Sequence, residues 1–384
     1  MRVVYSTGTT VQFDGIHYYN NAIQSTYRRY LVLGDEVNVI CHMKKVNKGS
    51  NDMIDGNHVS FTFVKKVNTF KDIIKTTSKM NEEIIKEAVR NADFCIAHVP
   101  CGNSYLVIKY AKLYNKPYAT VVVGCPWDSL WNYDWRGKIL APFEYFKLKT
   151  VQRESPYSIY VTNEFLQHRY PTNGKSIGCS NVNMHTGISG VLEKRLDGIR
   201  KKDENSIYRI GTAAALDVPY KGQEYVIRAI AKLKEKGINF EYHLIGGGTG
   251  NKLKDIARNL NISDKVFIHG SIPHDQVTDF YDSIDIYIQP SKQEGLPRAT
   301  IEAMSRGCLC MGSNIAGIPE LLDDDYLFEK GNVSEIVNIL KSITLQDLSE
   351  QATRNYNLAK EYDCDLLNDR RRKFLESFKS DCLR

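Results

Sequence analysis

Strand-like and helix-like segments alternate along this chain in two successive arrays, and few folds tolerate that pattern. In the first array, Arg2 to Thr7, Glu36 to Cys41, Asp93 to His98 and Tyr118 to Gly124 are apolar, strand-like runs. Helical periodicity fills Tyr19 to Leu33, Met80 to Arg90 and Ser104 to Tyr114 between them, and Ile159 to Thr162 makes a further strand leading into Glu164 to Tyr170. The second array opens at Tyr208 to Thr212. It continues with a helix over Gln223 to Lys236, a strand over Glu241 to Ile245, a helix over Leu253 to Asn259, a strand over Lys265 to His269 and a helix over Asp275 to Ser283. The strand Ile284 to Gln289 follows, then Leu309 to Met311 and a short helix near Ile318 to Leu322. Alternation of this kind predicts parallel sheets covered by helices on both faces. A polar stretch over Leu192 to Asn205 reads as the passage between the arrays, and Tyr362 to Lys379 as a charged amphipathic helix after the second. At 384 residues the chain exceeds what one core usually organises, so two domains are expected.

The segment Ser291 to Met304, just after the strand Ile284 to Gln289, carries the most chemistry. It sets Glu294 and Glu302 eight positions apart across a helix start, with Gly295, Leu296, Pro297 and Arg298 between loop and helix. Proline suits a first helical turn because its missing N–H would have no partner there. The neighbouring amides then face outward from the positive end of the helix, which is a phosphate cradle. Taken alone, Glu294 is better read as a first-turn charge favoured by the helix dipole and Glu302 as a solvated helix residue; strand, Gly-Pro start and paired glutamates together are more specific.

These residues closely resemble the Glu-x7-Glu signature of retaining nucleotide-sugar glycosyltransferases of the GT-B fold, family 4. The resemblance implies an α/β chain with two Rossmann-like βαβ domains, a cleft between them, and a C-terminal helix crossing back onto the first domain. It places the acceptor domain at 1–190, the donor domain at 205–360 and the crossing helix at 361–384. It implies that Glu294 contacts the donor sugar and Glu302 the ribose. Lys221-Gly222, between the first strand of the second array and its helix, matches the position of a lysine that neutralises the leaving diphosphate. The arginine that the family often has six residues before this lysine is Ala215 here, with Arg298 the candidate replacement. The loop His269 to Pro273, with Ile272, sits where the family contacts the base through its backbone, and such contacts leave no side-chain code for uracil or guanine.

Gly246 to Gly250 also follows a strand and opens a helix, yet lacks dinucleotide spacing and reads mainly as a tight turn, with Gly246 at its start beside the donor. In the first array, Gly8-Thr9-Thr10 and Asp14-Gly15 are read as the first βα loop, matching the family's N-terminal glycine loop near phosphate and acceptor. Catalytic candidates there are His98, at a strand end, and Asp128, near the place of the family's usual histidine; a lone strand-end histidine is more often structural. Trp127, Trp131, Tyr133 and Trp135 cluster around Asp128, and such rings suit sugar stacking or a membrane interface.

Charge divides unevenly. Residues 1–200 hold 26 Lys/Arg against 17 Asp/Glu, a balance of +9; residues 201–384 hold 25 against 28, a balance of −3. The basic half is expected to face an anion: the inner leaflet with a lipid-linked acceptor, or simply solvent. Nucleic acid is not expected, for no recognised binding motif accompanies the charge. The nine cysteines are scattered without a Cys-x-x-Cys pair, which argues against both a disulfide framework and a zinc site. No apolar run reaches the roughly 18 residues of a membrane span, and Met1 to Tyr5 enters a strand without a signal-peptide core. The expectation is a cytoplasmic enzyme, peripheral to the inner membrane face, using no metal or cofactor. It would move a hexose from a nucleoside-diphosphate sugar, UDP ahead of GDP, to a saccharide or polyprenyl-diphosphate-linked acceptor in O-antigen or capsule assembly. A GT-B epimerase and a non-catalytic nucleotide-sugar-binding subunit are the alternatives, the first lacking an evident acid/base pair.

Overall fold

The computed structural model describes residues 1–49, 52–66, 76–203 and 206–383. They form two compact units. The first comprises Met1–Pro126, Phe143–Cys179 and Asn368–Arg384; the second comprises Trp127–Pro142 and Ser180–Leu367. The division therefore falls at 179/180, and the Trp127–Pro142 segment counts with the second unit although the expected limits placed it in the first.

The first unit is built on strands β1 (Arg2–Phe13), β2 (Tyr18–Tyr19), β3 (Glu36–Lys45), β4 (Val59–Phe63), β5 (Phe94–Val99), β6 (Tyr118–Val122), β7 (Tyr157–Tyr160) and β8 (Lys175–Gly178). Their order is β4-β3-β1-β5-β6-β7-β8, all parallel, with β2 added antiparallel to β1. Central strands are buried on both faces, as a parallel sheet between helices requires; Phe94 to Ala97 of β5 are all in the core. The helix Cys364–Cys382 contributes its last turns here: Phe378 packs on Phe94 at 5.4 Å and on Tyr157 at 4.8 Å between ring centroids. Arg370 donates to the Gly178 carbonyl and Lys379 to that of Val32, fixing the helix end by backbone acceptors.

One expectation fails in this unit. Gly8, Thr9 and Thr10 lie inside β1, not in a βα loop, because the β-branched run Thr9-Thr10-Val11 keeps the chain extended to Phe13. The Thr7 and Thr9 hydroxyls bond at 2.8 Å, and the pairing with β3 shifts register between Ser6 and Thr10, so the glycine marks a bulge. The turn comes at Asp14-Gly15, where Gly15 has φ +108° and the Asp14 carboxylate accepts from the amides of Ile16 and His17. Those donors hold the Asp14 carboxyl down at about 2. It is a hairpin turn into β2. The expected helix Tyr19 to Leu33 is likewise shorter, an α-helix over Asn21–Thr26 followed by a 3-10 turn over Tyr27–Tyr30.

The second unit has a six-stranded parallel sheet of β9 (Tyr208–Ala213), β10 (Phe240–Ile245), β11 (Val266–Gly270), β12 (Ile286–Gln289), β13 (Leu309–Ser313) and β14 (Leu327–Phe328). The order β11-β10-β9-β12-β13-β14 turns back at β9 and β12, and ligands of open α/β sheets bind beyond the strand ends at such a reversal. Ile210, Leu244, Ile288 and Met311 from the sheet meet Val226, Ile230 and Leu233 from the helix Gln223–Lys234 in one apolar core. The polar stretch after Leu192 is not a linker throughout: Val191–Arg200 is a helix, charged on its outer face and buried at Val191 and Ile199. The short helix expected near Ile318 to Leu322 is instead a series of turns in which Ile318 and Leu321 are buried, Pro319 having no amide to continue a helix.

Candidate functional site

Beyond the ends of β9 and β12 the second unit holds a cavity of about 470 Å³, lined by Lys221, Gly246, Ser271, Ile272, Glu294 and the helix start Leu296 to Ala299, with Glu302 deeper. The local sequence explains each position. β12 ends at Gln289, and Pro290-Ser291 turns the chain away from the sheet. The loop then reaches Pro297, which stands as N-cap of the helix Arg298–Ser305 with φ −74°. No side chain caps that helix start, so its orphan amides and the positive end of its dipole face the cavity.

Lys221 closes a 3-10 turn over Pro219–Lys221, and the left-handed Gly222 (φ +74°) then starts the next helix. A Cβ at Gly222 would lie 1.9 Å from the Pro290 carbonyl oxygen, so only glycine lets this turn pack against the Pro290 loop. That contact brings Lys221 Nζ to 2.7 Å from Glu294 Oε1, with both side chains mostly buried. Glu294 Oε1 also accepts from Gln289 Nε2 at 2.9 Å, and Glu302 Oε2 accepts from the Tyr281 hydroxyl at 2.9 Å. Burial and the Glu302 carboxylate hold the Tyr281 phenol well above its ordinary pKa, so it remains a donor. The expected donor residues Glu294, Glu302, Lys221, Gly246, Ile272, Leu296, Pro297 and Arg298 thus share one cavity. Ala215 lines it too, and the exposed Arg298 is the arginine at its rim.

Gly246 has φ +143°, and a Cβ there would stand 2.0 Å from the Ala214 carbonyl oxygen. The following glycine turn is not open for phosphate. Asp217 accepts from the Thr249 amide at 2.8 Å and the Gly250 amide at 2.9 Å, so a carboxylate already occupies the donors that a phosphate would need. Those bonds lower the Asp217 pKa.

The remaining candidates lie outside this cavity wall. Gly8, Thr9 and Gly15 belong to β1 and its hairpin turn in the first unit. His98, also in the first unit, is bonded to the Tyr30 hydroxyl at 2.6 Å and packs on Tyr5 at 4.7 Å between ring centroids. Burial and the cations Arg29 and Arg371 push its pKa down to about 3, so it is a neutral, partnered ring at physiological pH. Asp128 sits in the first turn of the short helix Pro126–Trp131, whose end is tied to the donor loop by Asn132 Nδ2 donating to the carbonyls of Asp128 and Lys292. The rings of Trp127 and Trp131 stack at 5.2 Å.

Sequence reasoning missed Gln289, Tyr281 and Tyr287. The available signal was in β12: Tyr287 and Gln289 are polar side chains two apart, hence on one face, in an otherwise apolar strand.

Comparison with known proteins agrees with this geometry. Residues 200–361 match the family model of the glycosyl transferases group 1. Protein CapJ of Staphylococcus aureus is 29% identical over 361 residues, covering 92% of this chain and 89% of that protein. The putative colanic acid biosynthesis glycosyltransferase WcaL of Escherichia coli K12 is 29% identical over 142 residues, 34% of this chain and 35% of its own. Among solved structures, the sucrose-phosphate synthase of Thermosynechococcus elongatus superposes with a TM-score of 0.72 at 12% identity, covering 99% of each chain. Anabaena HepE in complex with UDP and glucose gives 0.67 at 14% identity over 98% of this chain and 99% of that one. Two parallel-sheet Rossmann-like units share the GT-B fold of these solved structures, and the second unit carries the region that matches the glycosyl transferases group 1.

Proposed function

We propose that this enzyme transfers a hexose, with retention of anomeric configuration, from a UDP-sugar to a saccharide or lipid-linked saccharide in bacterial surface polysaccharide assembly. The observation that carries the reading is the single cavity in which Lys221, Glu294, an uncapped helix start and Glu302 converge. A diphosphate fits between Lys221 and the amides around Pro297, with Arg298 as a second cation at the rim. The sugar then lies against Glu294, and the ribose against Glu302, which Tyr281 holds in place.

In the step itself, the bond between the anomeric carbon and the phosphate oxygen breaks while the acceptor oxygen bonds to the same face of that carbon. The acceptor's proton passes to the departing phosphate. Lys221, Arg298 and the helix amides meet the charge that develops on the leaving group, which is the part of the barrier such fixed donors lower. This arrangement assigns no role to a divalent metal. UDP is favoured over GDP because the fold neighbour HepE is solved with UDP, and a polysaccharide product because a partial relative is described in colanic acid biosynthesis.

We assign the anionic partner of the first half to the inner membrane surface. The helix Trp135–Arg153 exposes Trp135, Ile139, Phe143 and Phe146 at helical spacing, flanked by Arg136, Lys138, Lys147 and Lys149. Among the described residues no helix is long and apolar enough to cross a membrane, so attachment would be peripheral. The deciding experiment is chemical: thermal-shift screening of nucleotide sugars to find the donor, then NMR of the product. A retained configuration and activity undiminished by chelator are expected; an inverted product, or strict dependence on added manganese, overturns the reading.

A further inference from the structure

Glu294 has two partners in the cavity wall, and they differ in kind. Lys221 carries its charge on a flexible four-carbon stem, able to turn from the carboxylate to a diphosphate. Gln289 cannot turn. It is 2% exposed, its Oε1 accepts from the Tyr287 hydroxyl at 2.6 Å, and its Nε2 donates to Ser291 Oγ and to Glu294 Oε1, both at 2.9 Å. An ionised carboxylate only accepts, so the amide must present its NH2 group to Glu294 and its oxygen to a donor. The Tyr287 hydroxyl is that donor. It is wholly buried, and burial with the Glu302 carboxylate nearby keeps the phenol protonated. Tyr287 to Gln289 to Glu294 is therefore a directed chain of hydrogen bonds rooted in β12, the strand that pairs with both β9 and β13.

We infer that Gln289, oriented by Tyr287, is the positioning residue that keeps the Glu294 carboxylate aimed at the donor sugar once the diphosphate has drawn Lys221 away. The inference rests on the reading of Glu294 as the sugar-binding residue. Without Gln289, Glu294 would lose its last fixed partner at the moment the sugar arrives.

The test uses the UDP-hexose that best stabilises the full-length protein in a screen of UDP-glucose, UDP-galactose and their N-acetyl forms, with UDP alone as the reference. Gln289→Met keeps the side-chain length without the amide; Tyr287→Phe keeps the packing and leaves the amide free to flip. In Gln289→Met, kcat should fall about 10–100-fold, as losses of outer-shell orienting partners do, with a smaller fall in Tyr287→Phe. UDP affinity should stay within about twofold in both, and Gln289→Met added to Glu294→Gln should lower kcat by no more than about twofold further, because both remove one unit of function. A merely structural role predicts otherwise: UDP affinity and Tm fall with kcat, and the two losses multiply in the double variant. That pattern overturns the inference. Full activity in Gln289→Met beside an impaired Glu294→Gln overturns it alone, whereas wild-type activity in Glu294→Gln overturns the reading of Glu294 as well.

Discussion

The Lys221–Glu294 pair makes a prediction in which two substitutions change one affinity in opposite directions. Lys221 Nζ lies 2.7 Å from Glu294 Oε1, with side-chain exposures of 21% and 13%. Exposed pairs are worth about 0–1 kcal/mol, and breaking a fully buried one costs about 3–5, so this intermediate pair falls near 2 kcal/mol. A diphosphate that takes Lys221 must first compete with Glu294. Glu294→Gln removes the competitor while Gln289 and the backbone stay in place, so UDP should bind up to about 30-fold tighter even though transfer is impaired. Lys221→Ala removes a charged contact of about 1.5–3 kcal/mol and leaves a carboxylate facing the anion, so UDP should bind about 10–100-fold weaker. In the Lys221→Ala/Glu294→Gln double variant the repulsion is gone, and part of the loss should return. Isothermal titration of UDP at two ionic strengths reads all three. Equal weakening in both single variants, or unchanged UDP affinity in Lys221→Ala, would refute the placement of the diphosphate beside Lys221.

Gly222→Ala should lower UDP affinity and Tm together, because the new Cβ, 1.9 Å from the Pro290 oxygen, forces apart the two loops that carry Lys221 and Glu294; a thermal melt with UDP titration checks it. For His98, the folded pKa of about 3 lies below the ordinary 6.5, so the unfolded chain binds a proton in that window that the native protein does not. Stability contributed by the neutral ring is complete above about pH 6.5 and shrinks as pH falls, by about 2 kcal/mol at pH 5. His98→Gln should flatten that part of a pH–denaturation profile, and an unchanged slope would show that His98 does not carry it. Vesicle sedimentation should show binding to anionic but not neutral lipid at low salt, release at high salt, and loss of any salt-resistant fraction in Phe143→Ser/Phe146→Ser.

What the sequence disclosed and what it hid follow from how far apart the interacting groups lie in the chain. β12 and the helix after it are legible because strand, Gly-Pro turn and paired glutamates are consecutive, and the structure puts Glu294 and Glu302 in one cavity. The Lys221 turn was placed by its position between strand and helix, yet the reason for Gly222 is the Pro290 carbonyl, 68 positions away, which no local pattern encodes. Gly8 shows the opposite error. A glycine near a strand end reads as a loop beside phosphate and acceptor, but the β-branched residues after it carry β1 on to Phe13, and local propensity outweighs the loop signal. The helix Val191–Arg200 was hidden by composition: eight of its ten positions face solvent in part or whole, so its charge reads as a linker, while the burial of Val191 and Ile199 depends on elements elsewhere. Gln289 is the instructive omission. One polar side chain at the end of an apolar strand carries no motif, and its meaning appears only when Tyr287 beneath and Glu294 beyond are seen to leave its amide a single orientation. A signature finds the groups that touch a donor, but the residues that aim those groups become visible only when every buried donor and acceptor around them is traced to its partner.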